Sequence, residues 1–277
     1  GKILSIHEQI KNQLKSLLSA SFNNPIEQLN NALRLLSKWR SLLIQNTILK
    51  ESGTVVLNGP FKGLDFIEQS AEGCHVAKLL GCYEQPLLPY IQKAIDKNYS
   101  TILNIGCAEG YYAVGMAKNM LNTQIYAYDI DENARNTTKT LAIKNGVQER
   151  VYIGGLFKTE DFNSFYDAHN DADILLLCDI EGAEDELLNI DVASSLANID
   201  IILESHETHI EGITNKLVER FKATHEIKII HDNGQRSFEN TPAWFLNIAH
   251  LDQLLAVWEW RSGATPWLVM TSKSKAK

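Results

Sequence analysis

Three side chains with acid–base and metal-ligating chemistry fall at the ends of two apolar runs. Ile174–Cys178 is wholly apolar and of strand length, and it leads into Asp179-Ile180-Glu181-Gly182-Ala183-Glu184. A second run leads into Ile202-Leu203-Glu204-Ser205-His206-Glu207. In an extended chain alternate side chains share a face, so Glu204 and His206 point the same way. If the runs are neighbouring strands of an open α/β sheet, Asp179, Glu204 and His206 converge at the carboxyl edge, where such sheets hold ligands. Two chemistries fit. The set would bind a divalent metal such as Mg²⁺ and hold a substrate hydroxyl on it. Alternatively, His206 or Asp179 would act as a general base on that hydroxyl. Two carboxylates a few ångströms apart raise one another's pKa, which argues for some cation. His209 is no strong ligand candidate, because His206-Glu207-Thr208-His209 is one residue short of H-E-x-x-H and follows a strand.

A glycine turn lies upstream. Ile102-Leu103-Asn104-Ile105-Gly106-Cys107-Ala108-Glu109-Gly110-Tyr111 places two glycines four apart between a strand and a helix. Gly106 permits a tight turn, and Gly110 permits a ligand to approach the N–H groups that open the helix. Asp129 ends the next strand, 23 residues after Gly106, where an acid suits a ribose diol. The dinucleotide fingerprint fails, since Ala108 replaces its second glycine and Tyr111 follows Gly110 directly. A phosphate-binding loop of the G-K-[ST] kind fails too. A glycine-poor turn fits a nucleoside ligand without a pyrophosphate, of which S-adenosylmethionine is the example.

The elements needed to hold these residues are legible. From residue 101 the pattern alternates. Strands are expected at Thr101–Gly106, Gln124–Asp129, Val151–Ile153, Asp173–Asp179, Ile201–Glu204, Glu226–His231 and Pro266–Thr271. Helices are expected at Gly110–Met120, Glu132–Lys144, Ala183–Leu188 and Thr214–Lys222. Such alternation predicts a parallel sheet covered on both faces. Before it, Ile3, Ile6, Ile10, Leu14 and Leu17 form one helical stripe. A second helix opens at Asn24-Pro25, with Glu27 completing a capping box. The domain reading is a helical hairpin over 1–50, a loop-rich connector or cap over 51–98 and the sheet domain over 99–277. The hairpin is read as a packing appendage, the contact of a homodimer or a substrate lid. A helix is expected over Glu84–Ile95, and the tail from Ser272 is expected to fray.

Composition narrows the partners. The chain has 277 residues, 44% hydrophobic, with 26 Lys+Arg against 34 Asp+Glu and a net charge of −8. Without a basic surplus, nucleic acid is not an expected partner. No apolar run reaches membrane-spanning length, about 18–20 residues, and no signal-like segment opens the sequence. The four cysteines have no C-x-x-C spacing, so reduced thiols in the cytoplasm are expected.

With these residues in place, the sequence resembles the class I S-adenosylmethionine-dependent methyltransferases, and within them the FkbM-type group. The distinctive element is Asp179-Ile180-Glu181-Gly182-Ala183-Glu184 followed by Leu203-Glu204-Ser205-His206. The turn Ile105–Tyr112 and the strand Tyr126-Ala127-Tyr128-Asp129 are similar as well. The resemblance covers roughly residues 80–275. It implies an α/β, Rossmann-like sheet of seven strands, one antiparallel, and methyl transfer to a hydroxyl of a sugar, polyol or polyketide-type small molecule. It implies a cofactor site of Tyr83, Glu84, Asn104, Gly106, Cys107, Glu109, Gly110, Tyr111, Asp129, Ile130 and Asp179, with Asp179 and Glu204 at the transferred methyl, where His206 joins them on the strand-end reading. The chain departs from the group at Asn104, where an acid is usual; Glu84 or Glu109 is then the acid to meet the cofactor's ammonium. An amine acceptor and a non-catalytic cofactor-binding scaffold are the rival readings. Two further segments are singled out: Trp258–Arg261, with Arg261 as an anion clamp or ring-stacking cation, and the loop from Asp232 to Pro242, as an edge of the acceptor pocket.

Overall fold

The computed structural model describes residues 5–68, 74–169 and 173–276; Ile3 of the first stripe lies outside them. In chain order the elements are α1 (Ile6–Ser19), α2 (Pro25–Ser52), α3 (His75–Leu80), α4 (Leu88–Lys97), β1 (Thr101–Ile105), α5 (Tyr111–Asn119), β2 (Gln124–Tyr128), α6 (Glu132–Lys144) and β3 (Val151–Gly154). There follow α7 (Asp161–Ala168), β4 (Ile174–Cys178), α8 (Glu184–Leu187), β5 (Asp200–Glu204), α9 (Ile213–Phe221), β6 (His225–Ile230), α10 (Ala243–Asn247), α11 (His250–Ala256) and β7 (Trp267–Ser272).

The strands form one seven-stranded sheet in the order β3-β2-β1-β4-β5-β7-β6. All pairings are parallel except those of β7 with β5 and β6. This is the Rossmann-like methyltransferase architecture expected from the resemblance. β1, β4 and β5 are buried along their whole length, as parallel strands covered on both faces must be. Their side chains alternate between two cores. Ile102, Leu175, Leu177 and Ile202 face α4–α6 and the 56–91 segment, while Leu103, Leu176, Cys178 and Leu203 face α7 and α9. Strand order reverses between β1 and β4, and that reversal opens a crevice at their carboxyl ends.

Several expectations change. The stretch read as loops with at most short strands, 51–83, carries a fully buried helix, α3; at six residues its periodicity is too short to read. Glu84–Ile95 divides into a turn of 3-10 helix at Gln85–Leu87 and then α4, because Pro86 and Pro89 each remove an N–H donor. Ser272 does not fray: it is buried, and its N–H donates to Asp200. α7, α10 and α11 were not expected. Asn24 caps α2 through the Ile26 N–H, whereas the reciprocal capping box lies at α1 between Ser5 and Glu8. α2 runs on to Ser52, so the expected boundary at 50 falls within its last turn. It packs on α1 and α11 and leaves Ile26, Leu29, Leu33 and Leu36 exposed along one side. The four cysteines are buried thiols, and no described helix is long and apolar enough to cross a membrane.

Candidate active site

The crevice begins at Gly106. Its φ is +81°, and a Cβ there would lie 1.8 Å from the Asp179 carbonyl oxygen, so only glycine lets the ends of β1 and β4 pass so closely. The Gly106 and Cys107 N–H groups both donate to Tyr128 O, at 2.8 and 3.1 Å. Ala108 is held left-handed at φ +47°, and its N–H donates to Asp129 Oδ2 at 3.0 Å. The second Asp129 oxygen accepts from the Asp131 N–H at 2.9 Å. The acid at the end of β2 is thus pinned by two backbone donors while keeping lone pairs for further partners. Gly110, φ +90°, opens α5 against Thr138, and Ile130 is 78% exposed beside Asp129.

A cavity open to solvent occupies the crevice. Of the expected cofactor residues, Tyr83, Glu84, Asn104, Gly106, Cys107, Glu109, Tyr111 and Asp179 line it; Gly110, Asp129 and Ile130 do not. Asn104 donates its amide to Leu177 O at 3.2 Å, and its Oδ1 is buried without a hydrogen-bond partner. Glu109 forms a buried ion pair with Lys78 at 2.5 Å, so its charge is already matched. The Lys78 ammonium also lies 4.7 Å from the Tyr83 ring centre. The loop 232–242 contributes nothing to the described wall of the cavity. Its Arg236 turns inward to Glu259 instead, at 2.8 Å.

The three expected acid–base residues do converge. One ligand atom from each of Asp179, Glu204 and His206 lies within 4.8 Å of the others. His206 Nε2 is 3.4 Å from Asp179 and 3.8 Å from Glu204. Behind it, wholly buried Glu184 accepts from the His206 N–H at 2.9 Å and meets Nδ1 at 2.5 Å. That carboxylate fixes the ring as such partners do behind metal-ligating histidines. His209 stacks edge-on to His206 with centres 5.6 Å apart and is not part of the cluster.

Arg261 bridges two acids of the cavity wall, Glu84 and Glu204. Its Nη1 donates to Glu204 and Thr265, and its Nη2 to Glu84 at 2.7 Å, with the guanidinium 5.0 Å from the Trp267 ring centre. The stacking is as expected; the anion clamp is not, because both terminal nitrogens are committed to carboxylates. Glu84 also accepts from Tyr112 and Trp267, at 2.7 and 2.9 Å. Burial and the neighbouring Asp179 push the Glu204 carboxyl up to about 7, against Arg261 and His206. Burial disfavours charged His206, yet hydrogen bonds to Asp179 and Glu184 and the charge of Glu204 hold its pKa up at about 10. Burial likewise raises Glu259 to about 7. Lys78, Glu184, Arg236 and Glu259 were missed as site residues. Glu184 alone carried a signal, as the last acid of D-x-E-G-A-E.

No protein-family model matches the chain. Release factor glutamine methyltransferase of Clostridium botulinum is 33% identical over 61 residues, which are 22% of this chain and 22% of that protein. The same-named protein of Flavobacterium psychrophilum is 33% identical over 66 residues, 24% of this chain and 23% of that one. The chain therefore spans less than a quarter of the length of the curated relatives it matches. Among solved structures, the O-methyltransferase TomG from Streptomyces achromogenes, in complex with SAM, has a TM-score of 0.47 at 11% identity, covering 68% of this chain and 79% of that one.

Gly106→Ala tests the close approach. It should lower the unfolding free energy by about 3 kcal/mol or more, through a backbone clash and a strained φ, measured by urea denaturation. A loss below about 1 kcal/mol would mean that β1 and β4 do not approach as described.

Proposed function

We propose that the chain is an S-adenosylmethionine-dependent methyltransferase of the FkbM type, acting on a hydroxyl of a small molecule of the sugar, polyol or polyketide kind. The observation that carries this reading is the buried, unpartnered Asn104 Oδ1 in the wall of the crevice that also holds Asp179 and Glu204. The residues fit the cofactor. Asn104 Oδ1 would accept from its ammonium group, Asp129 from its ribose hydroxyls, and exposed Ile130 would cover one face of its adenine. When bound, S-adenosylmethionine supplies a methyl group already activated on a sulfonium.

The protein's own work is then positioning and proton handling. Asp179 and Glu204 orient the acceptor hydroxyl and draw off its proton. Tyr83, Tyr111 and Tyr112 wall the cavity and exclude water. Residues 51–98 act as a cap, since they supply Lys78, Tyr83 and Glu84 to the cavity, while 1–50 is the hairpin and 99–277 the transferase unit. His206, encircled by Asp179, Glu184 and Glu204, holds its proton at neutral pH, so it is a poor general base and a better orienting cation. A divalent metal also fits, with Asp179, Glu204 and His206 as ligands, and an imidazole among them favours Mn²⁺, Fe²⁺ or Zn²⁺ over Mg²⁺. A metal would supply Lewis-acid polarisation of the acceptor oxygen. The acceptor is a small molecule rather than nucleic acid, and the setting is the cytoplasm. A nitrogen acceptor is the second reading, favoured by the name of the glutamine methyltransferases to which part of the chain is similar.

Asp179→Ala should still bind S-adenosylmethionine by calorimetry and lose methyl transfer to a panel of hydroxyl and amine acceptors. Turnover equal to wild type would remove Asp179 from the chemistry. Metal binding requires His206 to be neutral, so Mn²⁺ should displace about one proton per site at pH 7.5, read from the dependence of binding enthalpy on buffer ionisation. Binding without proton release would mean that His206 is either neutral before the metal arrives or not a ligand. We also propose a homodimer through the exposed face of α2. Leu29→Glu with Leu33→Glu should halve the mass seen by light scattering, and a monomeric wild-type protein would refute the pairing.

A further inference from the structure

Residues 257–266, between α11 and β7, contain no helix or strand, so their carbonyls need partners from elsewhere. Three successive carbonyls find them in side chains remote in sequence. The Cys74 thiol meets Glu259 O at 3.2 Å. The Arg34 guanidinium, on α2, donates from Nη2 to Trp260 O at 3.0 Å and from Nη1 to Arg261 O at 3.2 Å. Neighbouring cations of α2 reinforce the grip. Arg40 holds Asp252 with two bonds of 2.8 and 2.7 Å, and the Lys38 ammonium lies 5.1 Å from the Trp260 ring centre. Trp260 has φ +62°, a conformation that a bulky residue keeps only where its surroundings impose it. From that turn Arg261 reaches back to Glu204 and Glu84. Pro266, at the far end of the segment, accepts the Ser205 N–H at 2.8 Å.

We propose that Arg34 is a positioning residue for the acid site. By holding the Trp260 and Arg261 carbonyls it fixes the backbone from which Arg261 spans Glu204 and Glu84. The α1–α2 hairpin thus sets the geometry of a site whose described wall it does not enter. The functional meaning of this coupling rests on the proposed methyltransferase reading; the coupling itself does not.

The test is hydrogen exchange by mass spectrometry on the full chain, beside S-adenosylmethionine calorimetry, for wild type, Arg34→Ala, Arg34→Lys, Arg40→Ala and Arg261→Gln. Arg34→Ala should speed exchange about tenfold at 258–262 and at 204–206, with α4–α6 unchanged. Arg34→Lys, keeping the charge and one donor group, should fall between it and wild type. Arg40→Ala should open α11 and leave 204–206 protected. Arg261→Gln should release 204–206 and leave α2 protected. The S-adenosylmethionine dissociation constant should rise about fivefold in Arg34→Ala. Wild-type exchange at 204–206 in Arg34→Ala, or a uniform rise across the chain, would overturn the proposal. If Arg34→Ala does not fold, Arg34→Lys against Arg40→Ala makes the same comparison. A wild-type chain that fails to bind S-adenosylmethionine would refute the methyltransferase reading, while the exchange data would still decide the coupling.

Discussion

Two strand ends come closer here than any side chain allows, and the crevice follows from that contact. The register pairs Asn104 with Leu177 and Ile105 with Cys178. One step further along, the Asp179 N–H donates to Ile105 O at 3.0 Å, and the Asp179 carbonyl occupies the space a Gly106 Cβ would need. The ladder therefore runs right up to the point where strand order reverses. Asp179 leaves β4 directly over the glycine turn, and Asn104 sits below it on β1. A bulkier turn would part these groups and separate the glycine-turn side of the crevice from the acidic side.

The acidic side is held by charge pairing in a poorly solvated place. Among the described residues, Glu84, Asp179, Glu184, Glu204, Asp232 and Glu259 are joined through Arg236, Arg261 and His206 into one connected set. Bringing ions out of water costs several kcal/mol each unless their partners are well placed. Arginine suits this role because its planar fork engages two carboxylates at fixed angles. The acids of the set outnumber its bases, and burial raises two of them, Glu204 and Glu259, to about 7.

The sheet was readable because its strands obey local rules: a wholly apolar run for β4 and largely apolar runs for β1 and β5, each ending at a glycine or an acid. Asp179, Glu204 and His206 were readable for the same reason, since each is placed by a strand end and the two-residue period. What escaped was set by contacts between distant segments. Lys78 and Glu109 are 31 positions apart and Arg236 and Glu259 are 23 apart, and no periodicity marks such partners. Arg261 looked available for an anion because its carboxylates lie 57 and 177 positions away. α3 is buried all round and six residues long, so it has no polar face by which to be recognised. Asn104 stood out in the sequence only as a departure from the pattern of the group it resembles; the structure adds that its acceptor oxygen is buried and unmatched.

The position of β7 bears on how the molecule is made. This strand lies between β5 and β6, although both precede it in the chain. During synthesis β5 therefore waits with one edge open, and β6 has no neighbour at all, until residues 267–272 have left the ribosome. Trp267, which opens β7 and donates to Glu84, arrives in the same step, as does the Pro266 carbonyl that accepts the Ser205 N–H. Closure of the sheet and completion of the acid site are one late event, so a nascent chain stalled before residue 266 would display a bare parallel edge to other chains or to a chaperone.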